Sequence, residues 1–249
     1  MPSSSPASAE VRGPRALSFG RAAEHYELGR PVWPVEAVDA VGLPRDSHVL
    51  DLAAGTGKLT RVLVQRFDRV TAVEPDDAMR ALNRWGDVRA GSADAIPLAK
   101  AEVDGVFVAD AFHWFAEERA VREIARVLRP GGTLALLWTQ SDRDWAPPLP
   151  EVDAVWERLR ATDEPHPLVR GAWRSAVEVP ELGPLAEAHV ETTYRADRER
   201  LVAYLLSQST VAMRPAEEVE AVAAELAAAV PDGDYQLPLR VEVFTARRL

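Results

Sequence analysis

Hydrophobic residues in the first half of the chain come in short bursts, separated by stretches with helical spacing. Runs at 49–52, 69–74, 103–109 and 134–138 read as strands, with a shorter third strand at 87–90. Between them, Leu59, Val62 and Leu63 mark a helix face ending near Phe67. Val121, Ile124, Ala125 and Leu128 line one side of an amphipathic helix over 117–128. Pro75 stops the second strand, and Asp76 is placed to cap a helix behind it. Ahead of all these, Pro34 suits the first position of a helix whose apolar side holds Val38 and Val41. Strand and helix in alternation predict an α/β fold with a doubly wound, mostly parallel sheet.

Past residue 139 the pattern loosens. A helix is expected over 152–159 with Trp156 inward, and 165–180, rich in helix breakers, reads as a lid. A sixth strand follows at 188–194, then helices at 198–208 and 215–229, the latter with Val219, Val222, Leu226 and Val230 on one face. A seventh strand closes the chain at 237–246, where Val241, Val243 and Thr245 alternate against Glu242 and Phe244. The expectation is a Ser/Pro/Ala-rich disordered tail over 1–16 and a single domain over 17–249. Its ligand-binding core would span 44–140, with a helical cover drawn from 17–43, 141–182 and 197–232.

The candidate chemistry centres on 49–60, V-L-D-L-A-A-G-T-G-K-L-T, a strand that carries an acid into a turn with two glycines and out to a helix. Such a turn lets backbone approach a nucleotide-like ligand. Three ligand classes compete for it. A P-loop needs its glycines farther apart. A dinucleotide fingerprint fits in part, but Thr60 stands where a third small residue belongs. A phosphate-free cofactor bearing an ammonium, a carboxylate and a ribose suits Asp51 best. Glu74 ends the second strand about twenty residues past Gly55, where an acid can accept both ribose hydroxyls. At the end of strand four, D-A-F-H-W-F carries His113, the one histidine so placed, and its ordinary pKa near 6.5 suits a general base.

The stretch 49–60 resembles motif I of class I S-adenosylmethionine-dependent methyltransferases. Glu74, the G-S-A-D-A-I-P-L segment and R-V-L-R-P-G-G-T-L-A-L-L-W continue the likeness to the type 11 methyltransferase-domain family, which includes trans-aconitate methyltransferase-like enzymes. The resemblance is tight over 47–139 and loose in the cover. It implies a seven-stranded Rossmann-like sheet and S-adenosylmethionine as cofactor. Asp51, Ala53, Gly55 and Gly57 would meet the cofactor in the first loop, and Glu74, Pro75 and Met79 at the second strand. Ala93 and Asp94 would meet the adenine, and Ala109 would stand at the end of strand four. A Y-x-x-x-R-P segment folds over the cofactor in relatives, which implicates Tyr26 and Arg30. Tyr26 joins His113 as a candidate base or orienting group. Asp110, where relatives often carry an amide, Trp114, Arg170 and Arg174 are candidates to meet the acceptor, and Arg30, Arg170 and Arg174 suit an anionic one.

Composition narrows the partners. The chain has 249 residues, 47% of them hydrophobic, and a net charge of -10. That acidity, with no [DN]-P-P-[YW] segment after strand four, argues against a nucleic-acid partner. There is no cysteine, and no two of the five histidines have metal-ligand spacing, so no metal site is expected. No run reaches membrane-span length and no secretory signal is visible, so a cytoplasmic enzyme with no membrane partner is expected. The reading is methyl transfer to a small-molecule acceptor, most simply at oxygen, a carboxylate or a hydroxyl. Transfer to nitrogen or carbon, a fold member that binds the cofactor without transferring methyl (a cyclase or binding protein), and a nicotinamide oxidoreductase remain as rivals.

Overall fold

The apolar runs of the first half stack side by side as the centre of one sheet. The computed structural model describes residues 23–141, 144–161 and 171–249; the expected tail at 1–16 and Arg170 lie outside them. In chain order the elements are α1 (Ala23–Gly29), α2 (Val35–Asp39), β1 (His48–Leu52), α3 (Thr60–Arg66), β2 (Arg69–Glu74), α4 (Asp77–Leu82) and β3 (Asp87–Ala90). Then come β4 (Val103–Ala109), a short 3-10 turn (Phe112–Trp114), α5 (Glu118–Val127), β5 (Leu128–Ser141) and α6 (Pro150–Arg160). A second 3-10 turn (Ala172–Val177), β6 (Ala186–Asp197), α7 (Arg198–Leu206), α8 (Ser209–Ala212), α9 (Ala216–Ala229) and β7 (Asp234–Arg247) complete the described chain.

The strand order is β3-β2-β1-β4-β5-β7-β6. β1 to β5 run parallel, β7 runs antiparallel to β5, and β6 antiparallel to β7. The seven-stranded, mostly parallel Rossmann-like sheet is therefore present. Because β1 is flanked by β2 on one side and β4 on the other, the carboxyl ends of these three strands meet at the switch in winding direction, where such sheets bind ligands.

Side-chain alternation divides the core. Leu50, Leu52, Val106, Val108, Leu134 and Leu136 face α5, and Val49, Phe107, Ala135 and Leu137 face α2 and α3. A third cluster lies beyond the sheet proper. Tyr194, Ala196, Tyr235 and Leu237, on the outer part of the β6–β7 hairpin, carry Trp156 of α6, Leu201 and Leu205 of α7 and Leu226 of α9. The helical cover thus has its own apolar core on an extended hairpin. Of the expected lid at 165–180, residues 165–170 lie outside the described residues, and the described part does not join this cluster. Trp173, Val177 and Val179 instead pack with α5 against Trp138 and Phe244, because their large apolar side chains find an open apolar face on the sheet.

The N-terminal strap is tied to this cover. Gly29 lets α1 touch α7: a Cβ there would collide with the backbone of Ala203 and Tyr204. Tyr194 donates its hydroxyl to the Gly29 carbonyl at 2.5 Å.

Candidate active site

The turn between β1 and α3 presents backbone outward. Ala53, Gly55 and Gly57 all hold positive φ, at 59°, 55° and 89°. A Cβ on Gly57 would also strike the Asn83 carboxamide. In front of Gly55 the opposite holds: a Cβ would meet nothing nearer than Met79 Sδ at 4.0 Å. That space is open cavity. Met79 is held at its edge because Asp76 caps α4, accepting from the amides of Ala78 and Met79 at 2.9 Å each.

Glu74 braces the same turn from β2. Its Oε2 accepts the Gly55 amide at 2.9 Å and its Oε1 the Asp76 amide at 2.7 Å. Asp51 stands behind, 1% exposed. It accepts the Thr60 hydroxyl at 2.6 Å, and Thr60 in turn accepts from Asn83 Nδ2 at 3.1 Å. Burial pushes the Asp51 carboxyl up to about 7, with the Thr60 hydrogen bond opposing and the Glu74 charge adding to the rise.

A cavity of about 490 Å³ opens over this turn. Ala53, Gly55, Glu74, Pro75 and Met79 line it from the first two strand ends, and Ala93, Asp94 and Ala109 from the next two. Trp114 and Phe115 add aromatic wall, and Tyr26, Arg30 and Asp110 close the far side. Most residues expected at the cofactor are therefore brought to one place. Asp51 and Gly57 are not on its wall; they support the turn from beneath.

A second cavity, about 690 Å³, shares Tyr26, Arg30 and Asp110 with the first. Thr139, Leu239 and Val241 of the sheet line it, together with Trp33 and Tyr194. Arg30 is the hub of this boundary. Its Nη1 lies 3.5 Å from Asp110 Oδ2, and its guanidinium sits 5.3 Å from the Tyr26 ring centroid and 5.8 Å from that of Tyr204. Nε donates to Ser207 Oγ at 3.0 Å and Nη2 to the Ser207 carbonyl at 3.2 Å. Asp110 is held in turn by the Thr139 amide at 2.8 Å, on a backbone with φ of 49°, strained for a non-glycine residue. Ser207 is fully buried and lies 177 residues from Arg30. No local pattern points to it.

The two residues expected as base or orienting groups lie in different places. His113 lines neither cavity. The 3-10 turn after β4 swings it toward β5, where its Nδ1 accepts the Trp138 indole N–H at 3.4 Å and its ring lies 4.6 Å from that of Trp114. It packs between Trp138 and Trp114 and away from the shared boundary. Tyr26 is on the boundary, but burial, opposed by Arg30 and aided by Asp110, pushes its phenol up to about 12. At neutral pH it is therefore a protonated phenol, able to donate a hydrogen bond. Arg174 is elsewhere too, paired with Glu187 at 2.6 Å and stacked on Trp173 and Phe244. Among the described residues, no group of three or more His, Asp or Glu side chains could hold a metal ion, and no helix is long and apolar enough to cross a membrane.

Comparison with known proteins bears on this arrangement. A family described as "Methyltransferase domain" matches residues 50–136. An uncharacterized methyltransferase-like protein of Schizosaccharomyces pombe is 36% identical over 210 residues, 81% of each chain. The chain belongs to the S-adenosylmethionine-dependent methyltransferases. An uncharacterized methyltransferase of Mycobacterium tuberculosis is 46% identical over 143 residues, covering 55% of this chain; the chain spans 59% of that relative's length. A malonyl-[acyl-carrier protein] O-methyltransferase of Enterobacter lignolyticus is 37% identical over 161 residues, 61% of each chain. Among solved structures, a protein of Anaeromyxobacter dehalogenans provisionally named a type II methyltransferase superposes with a TM-score of 0.61 at 28% identity, over 88% of this chain and 97% of its own.

The methyltransferase's own residues fit S-adenosylmethionine, its cofactor. The unfilled space before Gly55 leaves room that any side chain there would occupy. Glu74 presents a carboxylate at a strand end beside that space, and Met79, Ala93 and Phe115 give the apolar wall a purine requires.

Proposed function

We propose that the protein transfers the methyl of S-adenosylmethionine to an oxygen of a small-molecule acceptor. The observation that carries this reading is the pair of cavities meeting at Tyr26, Arg30 and Asp110. One suits the donor and the other leaves room for an acceptor at its reactive end. On this reading Glu74 accepts the ribose hydroxyls, Asp94 and the Ala93 backbone meet the adenine, and Met79 packs on it. The cofactor, when bound, supplies a methyl on a cationic sulfur, whose C–S electron pair stays with sulfur as the C–O bond forms.

The boundary residues orient and desolvate. Tyr26 donates a hydrogen bond from its protonated phenol, and Arg30, pinned by Ser207 and Asp110, contributes a fixed positive charge. With His113 turned away and Tyr26 protonated, neither expected base removes a proton here. This favours an acceptor oxygen that is already ionised or readily ionised, a carboxylate or an acidic hydroxyl, over an amine or a carbon. The name of the Enterobacter relative, an O-methyltransferase, is in keeping with that preference.

Calorimetry with S-adenosylmethionine and S-adenosylhomocysteine tests the donor half. Binding is expected, and Glu74→Ala should weaken it about a hundredfold through the loss of two charge-assisted hydrogen bonds. An unaffected variant, or no binding by the parent protein, would sink the proposal.

A further inference from the structure

The second cavity carries positive charge that its surroundings do not balance. Besides Arg30, its wall holds Lys58, Arg61, Arg195 and Arg200, on a chain whose net charge is -10. Three acids share the wall, Glu24, Glu27 and Asp110, against the five cations. Asp110 pairs with Arg30, and Glu27 lies 3.5 Å from Lys58. Arg61 rests over the Trp85 ring at 5.6 Å. Among the described residues, no carboxylate pairs with Arg61, Arg195 or Arg200. The cations also feel one another. Burial holds the Lys58 ammonium below its usual range, Glu27 opposes this, and the Arg61 and Arg200 charges add to the depression. Groups from the start of α3 and the start of α7 therefore converge on one end of the cavity. Like charges gathered at a partly covered wall are unfavourable until an anion joins them.

Position adds a second constraint. Lys58, Arg61, Arg195 and Arg200 line the second cavity only, whereas Tyr26, Arg30 and Asp110 line both. Methyl transfer, on the reading above, takes place at the shared boundary. The charge held by the four cations is thus not on the atom that is methylated. Leu239, Val241 and Trp33 make other parts of the wall apolar.

We propose that the acceptor is an organic anion bound by a charge it keeps. A carboxylate or phosphate is gripped by Lys58, Arg61 and Arg200, while a separate oxygen of the same molecule is presented at the Tyr26–Arg30–Asp110 boundary. This rests on the methyl-transfer reading for the role of the boundary, but the anion grip stands on the cavity alone.

Matched probes test it. The full chain is titrated by calorimetry, with and without S-adenosylhomocysteine, against para-hydroxyphenylacetate and its neutral isostere para-hydroxyphenylacetamide, and against adipate and adipamide. At least one charged member should bind about tenfold or more tighter than its neutral partner. Arg61→Glu and Arg200→Glu, both exposed positions, should remove that preference while S-adenosylhomocysteine affinity stays within about twofold. A protein that takes S-adenosylhomocysteine but treats charged and neutral members alike overturns the grip and leaves the donor reading intact. One that takes the anions but not S-adenosylhomocysteine overturns the donor reading and leaves the grip. Charge-reversal variants that keep the anion preference also overturn the grip.

Discussion

Asp51 and Glu74 are both acids at strand ends, yet the fold treats them differently. Glu74 faces the cavity with each oxygen occupied by a backbone amide; Asp51 is sealed behind the turn, accepting the Thr60 hydroxyl. Because the folded state raises the Asp51 pKa to about 7, it holds that proton more tightly than the unfolded chain does. The stability this group contributes is fully present below about pH 4, the ordinary carboxylate range, and is lost as pH rises to about 7. Asp51→Asn keeps the Thr60 contact and removes the titration. The stability of the variant relative to the parent, from urea melts at a series of pH values, should therefore climb between about pH 4 and pH 7 and then level off, by on the order of a few kcal/mol. A flat difference would mean that Asp51 titrates as an ordinary surface acid. The acids themselves were legible from their position at the ends of apolar runs. That one lines the cavity and the other supports it was not, since both end a strand beside a small-residue turn and only the packing of Thr60 and Asn83 separates them.

Among the elements, α1 matters out of proportion to its length. It supplies Tyr26 and Arg30 to both cavities, and it is held by α7 through the close approach at Gly29 and the Tyr194 hydroxyl. Gly29→Ala should push α1 off α7 with little effect on the sheet core. Hydrogen exchange should rise in α1 and α7 while β1, β4 and β5 stay protected, and S-adenosylhomocysteine affinity should fall about tenfold or more as one wall of its cavity loosens. Unchanged exchange in α1 would show that the strap does not depend on that contact. The core elements were readable because each has one clear period: β1, β2, β4 and the central part of β5 are apolar runs, and α5 has its apolar face at helical spacing. The cover was readable as helices but not as an arrangement. Trp173 and Val177 have the same apolar character whether they line a lid or plug a sheet face, and the Arg30–Ser207 contact joins residues with no shared local pattern.

For the whole molecule, a net charge of -10 contrasts with a second cavity whose wall holds more cations than acids, so the field around its mouth is set by a few side chains against the overall charge. The sheet order has a consequence for how the protein is made. β7, the seventh strand along the chain, is wedged between β5 and β6, each pairing with it rather than with the other. On the ribosome, β1 to β5 can zip together as they emerge, but β6 and the helices it carries have no berth until β7 arrives. The early half therefore waits with a long apolar edge on β5 open to any neighbouring chain. A chain ended at residue 233 should assemble into higher-order species on size-exclusion chromatography and fail to bind S-adenosylhomocysteine, although every residue of the glycine turn is present. A monodisperse, binding-competent fragment would show that the first five strands mature alone. Otherwise the glycine turn is an unfinished site until β7, far along the chain, is in place.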